Sequence, residues 1–274
     1  MFVVLMTGEE GLELVFLGTG AALTLPSFFC TCATCEDARK NPENRRTRSA
    51  VALLGKEITL IDVGPDIEHQ MEREGIRTVD NIFVTHWHYD HIGGLLGLGE
   101  PVSISKWGII NLYGTEDVTE RIEREYGWLK NWFNLHTIKV GDTIQISDAS
   151  WKVVKTNHTQ HSVGFVVNAR TKFAYLVDGI VPPPETVNEL MGLDLLITEG
   201  TMDFLDEEWH NFKLDDAVAF WRQTGIPECI LTHVSCHGWE NEKLVAGMTP
   251  DERSDYVSDH LGLKIAYDGM RISL

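Results

Sequence analysis

The sequence contains no long hydrophobic run and no pattern of a secretory signal. None of its apolar stretches approaches the ~18 residues that a membrane-spanning helix needs. The apolar start, residues 1–6, has no basic segment before it, and Thr7-Gly8-Glu9-Glu10-Gly11 follows at once. This polar segment ends the stretch before the core of a signal peptide could form. We therefore expect a cytoplasmic protein without a membrane partner.

Positive charge is also scarce in this chain. Lys and Arg number 23 against 41 Asp and Glu, which gives a formal net charge of -18. A surface of this sign repels the phosphate backbone of a nucleic acid, so we expect no such partner. A small anionic substrate is still compatible with the sequence, because bound metal cations can dominate the field inside a pocket.

The chain lacks a low-complexity linker and an internal repeat, and its composition is that of a globular protein. Strand-like runs outnumber helical ones, which predicts two packed sheets with helices on the outside, in one domain over residues 1–274. The predicted strands are 12–17, 50–54, 57–62, 81–85, 109–113, 151–156, 164–168, 173–178, 193–198, 228–233, 263–266 and 270–274. The predicted helices are 67–74, 115–132, 184–191, 214–224 and 249–261.

A glycine pair after the first strand, Gly18-Thr19-Gly20, could begin a dinucleotide-binding loop. That loop needs a third glycine where Leu23 stands, and no helix obviously follows. We therefore interpret the pair as a tight turn.

The strongest chemical signal is the run from Thr85 to His91, which follows an apolar strand. It places three imidazoles and a carboxylate within six residues, and these are ligands that Zn, Mn, Fe and Ni accept. In an extended segment His86 and His88 point to the same side, whereas Asp90 and His91 lie on the following turn and can point at a second metal. Gly93-Gly94 then allows the backbone to turn away.

This His-x-His-x-Asp-His run resembles that of the metallo-β-lactamase superfamily, whose α+β fold is an αββα sandwich. The resemblance extends along the chain through six further segments, and it implies two divalent metal ions. The segments are Leu17-Gly18-Thr19-Gly20, Leu60-Ile61-Asp62-Val63-Gly64, Asn157-His158, Val177-Asp178-Gly179, Leu231-Thr232-His233 and Tyr267-Asp268-Gly269-Met270. The ligands that the resemblance implies are His86, His88 and His158 for one metal, Asp90, His91 and His233 for the other, and Asp178 between them.

Five cysteines are an odd number, and Cys30, Cys32 and Cys35 lie close together. In a cytoplasmic chain such a cluster favours metal binding or redox chemistry over a disulfide, whereas Cys229 lies in an apolar run and is predicted to be buried. Within the superfamily, this cluster and the Arg-rich stretch after it, in a loop at residues 28–48, resemble the PhnP-type phosphodiesterases of phosphoribosyl cyclic phosphate. That resemblance implies a structural zinc, completed here by Cys236 or by His237.

The function implied is a dinuclear-metal phosphodiesterase for small, including cyclic, diesters, with Zn, Mn or Ni at the centre. A hydroxide bridging the two metals would attack phosphorus, and Asp90 and His210 would be catalytic, His210 as the proton donor to the leaving group. Asp62 would accept hydrogen bonds and orient a ligand loop. His161, which lies where the family has no ligand, is a candidate substrate contact.

Three other functions stay open from the sequence. A tRNA 3′-processing endonuclease shares the two-metal site but needs a basic clamp for RNA, which the charge argues against. A thioester or lactone hydrolase could use the same site, and a scaffold protein could retain the fold without activity. The sequence leaves the oligomeric state open, with a homodimer as one form.

Overall fold

The computed structural model describes residues 11–105, 108–200, 213–236 and 247–274. Two seven-stranded mixed sheets pack face to face, as the sequence predicts for the sandwich. The first has the strand order β14-β1-β2-β3-β4-β5-β6 and the second β13-β12-β11-β10-β9-β8-β7. The strands are β1 Glu13–Gly18, β2 Ala50–Leu54, β3 Ile58–Ile61, β4 Asn81–Phe83, β5 Ile110–Gly114, β6 Phe133–Thr137, β7 Thr143–Ile146, β8 Ala149–Lys155, β9 Val163–Asn168, β10 Lys172–Leu176, β11 Leu195–Glu199, β12 Glu228–Thr232, β13 Lys264–Ile265 and β14 Arg271–Ser273.

Helices cover the outer faces of both sheets. They are α1 Ala33–Lys40, α2 Ile67–Glu74, α3 Tyr89–Ile92, α4 Leu95–Ser105, α5 Glu116–Tyr126, α6 Pro184–Glu189, α7 Leu214–Thr224 and α8 Pro250–Tyr256, with 3₁₀ turns at Pro42–Asn44 and Gly127–Asn131 and a π-helical turn at Val257–Leu261. Among the described residues, none of the helices combines the length and the apolar character needed to cross a membrane.

The core between the sheets is rich in aromatic side chains. Phe83 of β4 stacks on Trp151 of β8, with 4.5 Å between ring centroids and 4° between planes, and its other face stacks on Tyr113 of β5. Parallel rings at this spacing add a specific attraction to the hydrophobic burial of all three. The stack joins strands of the two sheets and therefore fixes their relative position close to the edge where polar residues collect.

The parallel strands of the two sheets end at that common edge. Strands β3 and β4 are parallel in the first sheet, and β10, β11 and β12 are parallel in the second. Because side chains that follow parallel strands meet at one edge, the segments after these strands are brought together. The sequence alone predicts this arrangement only in outline.

Several elements differ from the prediction. Strands β6 and β7 were not predicted, because they carry polar residues such as Asn134 and Gln145 at the open edges of their sheets. The predicted loop at 28–48 contains α1, whose Cys32 caps the helix by accepting a hydrogen bond from the Cys35 N–H group. Helix α4 was missed because its sequence, LLGLGEPVSIS, contains two glycines and a proline and shows little helical periodicity.

Candidate metal centre

The seven predicted ligands form two groups that share Asp178. His86, His88 and His158, here called the outer group, lie together with Asp178. Asp90, His91 and His233, the inner group, lie with the same Asp178, and within each set of four the ligand atoms are all within 4.8 Å of one another. The inner residues are all buried, whereas His88 is exposed and His158 is half-buried. Their role as metal ligands stays a prediction.

Backbone conformation turns three of the polar side chains of this edge inward. Asp62, Asp178 and His233 come directly or almost directly after β3, β10 and β12, and each has a positive φ, of 63°, 56° and 56°. This left-handed conformation is uncommon for residues with a Cβ atom and persists only where the surrounding fold imposes it. Three such residues at one edge are typical of a functional site.

Two glycines allow the ligand loop to pack closely on the segment after β3. A Cβ atom on Gly64 would lie 2.2 Å from the carbonyl oxygen of Asp90, and one on Gly94 would lie 2.1 Å from the carbonyl oxygen of Gly64. The backbone of the ligand loop therefore touches the backbone after β3, a contact that a larger residue would prevent. The sequence predicts the need for glycine at Gly94, although not the partner.

In the outer group, the nitrogens converge with one carboxylate oxygen. His88 Nδ1 lies 2.9 Å from His86 Nε2 and 3.1 Å from His158 Nε2. Asp178 Oδ2 lies 3.2 Å from His86 Nε2 and 3.3 Å from His158 Nε2. Around a four-coordinate zinc with bonds of about 2.0–2.1 Å, neighbouring donor atoms lie roughly 3.3 Å apart. The four donor atoms therefore fit a divalent metal.

In the inner group, Asp178 Oδ2 lies 3.3 Å from His91 Nε2, and Asp90 Oδ2 lies 3.2 Å from the same nitrogen. His233 Nε2 lies 3.5 Å from Asp90 Oδ2. The buried Nε2 atom of His91 makes no hydrogen bond among the described residues. A buried nitrogen facing two carboxylates is an arrangement that a metal cation would satisfy, so this set also fits a metal.

The electrostatic environment differs between the two groups. Burial lowers the pKa of His158 to about 4, and Asp178 offsets only part of this effect. For His233, burial favours the neutral form, but Asp178 and then Asp90 outweigh it and raise its pKa to about 10. Burial likewise opposes ionisation of Asp90, yet His91 holds the pKa of this carboxyl well below its usual range. The inner group therefore attracts a cation, whether a proton or a metal ion.

Asp62 lies behind the ligand loop. It is completely buried and accepts hydrogen bonds from the Thr85 N–H group at 2.8 Å and from the Thr85 hydroxyl at 2.9 Å. Its Oδ2 atom is also 2.7 Å from His91 Nδ1. Because a carboxylate only accepts, Nδ1 of His91 carries a proton, and the Nε2 atom of the same ring faces Asp90 and Asp178.

Sequence reasoning missed Glu199, a completely buried carboxylate at the end of β11. Its Oε1 atom is 3.3 Å from His233 Nδ1, and its Oε2 atom accepts a hydrogen bond of 2.8 Å from the N–H group of Gly179, next to Asp178. The available signal was its position between a strand and Gly200, which resembles that of Asp178 before Gly179.

Sequence reasoning also missed Lys155, the last residue of β8. Its Nζ atom donates hydrogen bonds to the carbonyl oxygens of Thr159, Gln160 and Ser162 at 2.8, 2.9 and 3.2 Å. All three belong to the loop that carries His158, so one ammonium group organises that loop. His161, the candidate substrate contact, is exposed in the same loop, whereas His210 lies outside the described residues.

The cysteine cluster forms a second candidate metal site. Cys30, Cys32, Cys35 and Cys236 have sulfur atoms within 4.8 Å of one another. The Ser27 N–H group donates to the Cys35 sulfur at 3.4 Å, and burial raises the pKa of Cys35 to about 11. Between the two residues left open by the sequence, the structure brings Cys236 into the cluster, and His237 lies outside the described residues. Cys229 is buried elsewhere, as predicted.

Residues 58–234 match the family model described as "Beta-lactamase superfamily domain". Over 270 residues the chain is 26% identical to an octanoyltransferase of Porphyromonas gingivalis, and this match covers 94% of the chain and 52% of the relative. Over 220 residues it is 27% identical to a ribonuclease Z of Exiguobacterium sibiricum, covering 74% of the chain and 67% of the relative. The chain thus spans about half the length of the octanoyltransferase that it matches.

Solved structures share the fold. A diphosphatase of the PhnP family superposes with a TM-score of 0.79 at 24% identity, covering 96% of this chain and 97% of the other. Zn²⁺-bound PqqB from Methylobacterium extorquens superposes with the same TM-score of 0.79 at 19% identity, covering 96% of this chain and 100% of the other. At these identities the likeness concerns the fold alone.

Proposed function

The chain belongs to the beta-lactamase superfamily, and from this premise we propose that it is a dinuclear-metal hydrolase that acts as a phosphodiesterase on small, including cyclic, diesters. The observation that carries the proposal is the position of Asp178, whose Oδ2 atom lies 3.2 Å from His86 and 3.3 Å from His91. One carboxylate oxygen thus faces both ligand groups. An oxygen within reach of both groups is compatible with a pair of adjacent metals.

The two metals, when bound, would provide a hydroxide at neutral pH and neutralise charge on the phosphoryl oxygens. Within this proposal, Asp178 serves both metal positions and Asp90 completes the inner group. Asp62 keeps His91 in the tautomer whose Nε2 atom faces the centre, since its Oδ2 atom lies 2.7 Å from Nδ1. His210 would give a proton to the leaving alkoxide, which is a poor leaving group on its own.

Three arguments favour a small phosphodiester over other substrates. Two-metal centres are common among phosphatases and nucleases, because two cations can stabilise the attacking and the leaving oxygen together. The four-cysteine cluster accompanies the resemblance to PhnP-type phosphodiesterases. The net charge of -18 opposes binding of a long polyanion. We also place the protein in the cytoplasm, as a single domain over residues 1–274.

A second candidate is endonucleolytic processing of tRNA, because relatives named ribonuclease Z match more than half of the chain. It would require RNA to bind against the negative charge of the protein, and a measurement of tRNA binding at moderate salt tests it. Transfer of an octanoyl group is not proposed, since nearly half of that relative lies outside the match.

We further propose that the cysteine cluster holds a structural zinc. Four thiolates bind zinc in tetrahedral coordination, and a closed site of this kind contributes free energy to folding. Cys236 lies three residues after His233, and the Val234 N–H group bonds to the Thr19 carbonyl at 2.8 Å. The zinc would therefore support the segment that carries His233.

Elemental analysis should find one zinc that resists mild chelation, and the Cys32→Ser variant should lose that zinc alone. A chain that never holds more than two metals would contradict this proposal.

A substrate screen tests the function. Enzyme reconstituted with Zn, Mn or Ni is assayed on cyclic phosphates, linear diesters, diphosphates, monoesters, thioesters, lactones and precursor tRNA, with Asp178→Ala as the inactive control. We expect metal-dependent cleavage of small diesters and no cleavage of monoesters. Hydrolysis of thioesters or lactones without any diester would refute the proposal, and cleavage of precursor tRNA with no small diester would favour the endonuclease.

A further inference from the structure

The two halves of the candidate centre differ in what lies behind their histidines. In the inner group, each histidine has a completely buried carboxylate at its distal nitrogen. Asp62 Oδ2 is 2.7 Å from His91 Nδ1, and Glu199 Oε1 is 3.3 Å from His233 Nδ1. The two carboxylates come from different sheets, Asp62 after β3 and Glu199 at the end of β11.

The outer group has no such carboxylates among the described residues. The distal nitrogen of His86 faces the hydroxyl of Thr85 at 3.0 Å. The distal nitrogen of His158 is buried and makes no hydrogen bond among the residues that the structure describes. His88 turns Nδ1 toward the centre, and its side chain is exposed. Among the described residues, the distal nitrogen of His86 therefore has a neutral partner and that of His158 has no hydrogen-bond partner.

This difference acts on metal affinity in two ways. A carboxylate that accepts a hydrogen bond from the distal N–H group of a histidine fixes the ring orientation and makes the other nitrogen a stronger metal ligand. Loss of such a carboxylate typically weakens metal binding by roughly 10–100-fold. The inner group also has its own carboxylate ligand, Asp90, whereas the outer group has only the shared Asp178. More carboxylates therefore surround the inner metal position than the outer one, and their negative charge attracts a divalent cation.

Access to solvent differs in the same direction. Asp90, His91 and His233 are all buried, but the outer group includes His88, which is exposed. A metal in the outer group can therefore exchange ligands with water more readily than a metal in the inner group. Glu199 adds rigidity to the inner side, since its second oxygen holds the Gly179 N–H group beside Asp178 at 2.8 Å.

We propose that the inner group binds its metal first and retains it, that Asp62 and Glu199 act as the positioning residues responsible, and that the outer group binds its metal second and exchanges it. This proposal rests on the two-metal centre of the proposed function. It implies that the second metal, and with it the complete centre, depends on the free metal concentration around the protein.

The test measures binding rather than activity. Chelated protein is titrated in metal buffers with Zn²⁺ or Mn²⁺, and its metal content is counted beyond the chelation-resistant zinc. We expect two steps whose dissociation constants differ by at least tenfold. His158→Ala should remove the weaker step and leave the tighter one. Glu199→Gln and Asp62→Asn, which keep the side-chain volume, should each weaken the tighter step roughly 10–100-fold.

Glu74→Gln is the matched control, because Glu74 is a largely buried carboxylate that contacts Arg73 and Arg271 rather than a histidine. It should leave both steps unchanged. Crystals with one equivalent of metal, measured by anomalous diffraction, give a second readout that does not need the variants to fold well. Density should lie between Asp90, His91 and His233.

Equal affinities, a single cooperative step, or first density in the outer group would overturn the inference. So would weakening of the looser step alone by Glu199→Gln. A protein that binds no metal beyond the structural zinc would instead overturn the two-metal centre itself. Two unequal steps without cleavage of any phosphodiester would support the inference and contradict only the proposed substrate.

Discussion

The Nζ atom of Lys155 lies 2.8 Å from the carbonyl oxygen of Thr159, and the carbonyls of Gln160 and Ser162 approach the same atom. An ammonium group is thus surrounded by the backbone of the loop that carries His158. Hydrogen bonds from a charged donor are stronger than those between neutral groups. The position of one candidate ligand therefore depends on a side chain that precedes it by three residues.

Replacing this lysine should loosen the loop without unfolding the sheet. In Lys155→Met the three carbonyls lose their charged donor, so we expect amide hydrogens of residues 157–162 to exchange roughly 10–100-fold faster, since each lost charge-assisted bond is worth about 1.5–3 kcal/mol. Hydrogen-exchange mass spectrometry measures this. Lys152→Met, on the same strand, is the control, because Lys152 pairs with Glu189 instead. Equal effects of the two substitutions would contradict the assigned role.

The contact between Gly64 and Gly94 should tolerate no added carbon. In Gly94→Ala the new Cβ atom would lie 2.1 Å from the carbonyl oxygen of Gly64 and 2.5 Å from Cγ2 of Ile67. Backbone atoms cannot move aside cheaply, so we expect a loss of about 1–3 kcal/mol or more in the free energy of unfolding. Urea denaturation followed by circular dichroism measures it.

The matched control for that experiment is Gly127→Ala. A Cβ atom on Gly127 meets no heavy atom within 4 Å, and its φ of -55° suits alanine. This variant should be unchanged or slightly more stable. If both alanine variants denature alike, the contact of Gly64 with Gly94 does not constrain the ligand loop.

Glu74 should make stability depend on pH. Burial opposes ionisation of its carboxyl, but hydrogen bonds from Arg73 at 2.8 Å and Arg271 at 3.0 Å lower its pKa. A carboxyl whose folded-state pKa lies below its unfolded value, about 4.3, stabilises the fold above that value. This contribution disappears as the pH falls through the lower folded-state pKa.

Glu74→Gln should therefore cost about 1 kcal/mol at pH 7, and progressively less below about pH 4. Chemical denaturation at pH 7 and near pH 3.5 compares the two conditions. Glu72→Gln is the control, because Glu72 pairs with Arg77 at the exposed surface and such pairs contribute little. A difference that stays constant with pH would show that ionisation of Glu74 is not the source of the effect.

His210→Ala tests the proton donor of the proposed reaction. Loss of a general acid should slow alkyl diesters by roughly 10²–10⁴, because their alkoxide leaving groups need a proton. Aryl diesters with activated leaving groups should react at nearly the normal rate. Steady-state kinetics on both substrates gives the comparison. A uniform loss on both, or no loss on either, would remove His210 from the mechanism.

The sequence alone determined which residue types form the candidate centre. Imidazoles and carboxylates in the run from His86 to His91 are recognisable without coordinates, because metal ligation needs these residue types at short spacing. Helices with regular apolar periodicity were also predictable. Residues 67–74 and 214–224 form helices α2 and α7 with the predicted bounds, since local periodicity and the left-handed glycine after each helix suffice to specify them.

Only the tertiary structure decided which distant residues support those ligands. Glu199 and Lys155 carry no local signal beyond a strand end, and their roles arise because β11 and β8 end at the same edge as β10. The position of Cys236 beside Cys30, Cys32 and Cys35 depended likewise on a contact across the fold, between residues more than 200 positions apart. Local sequence constrains φ, ψ and burial pattern, whereas the pairing of strands and the packing of sheets fix which side chains meet.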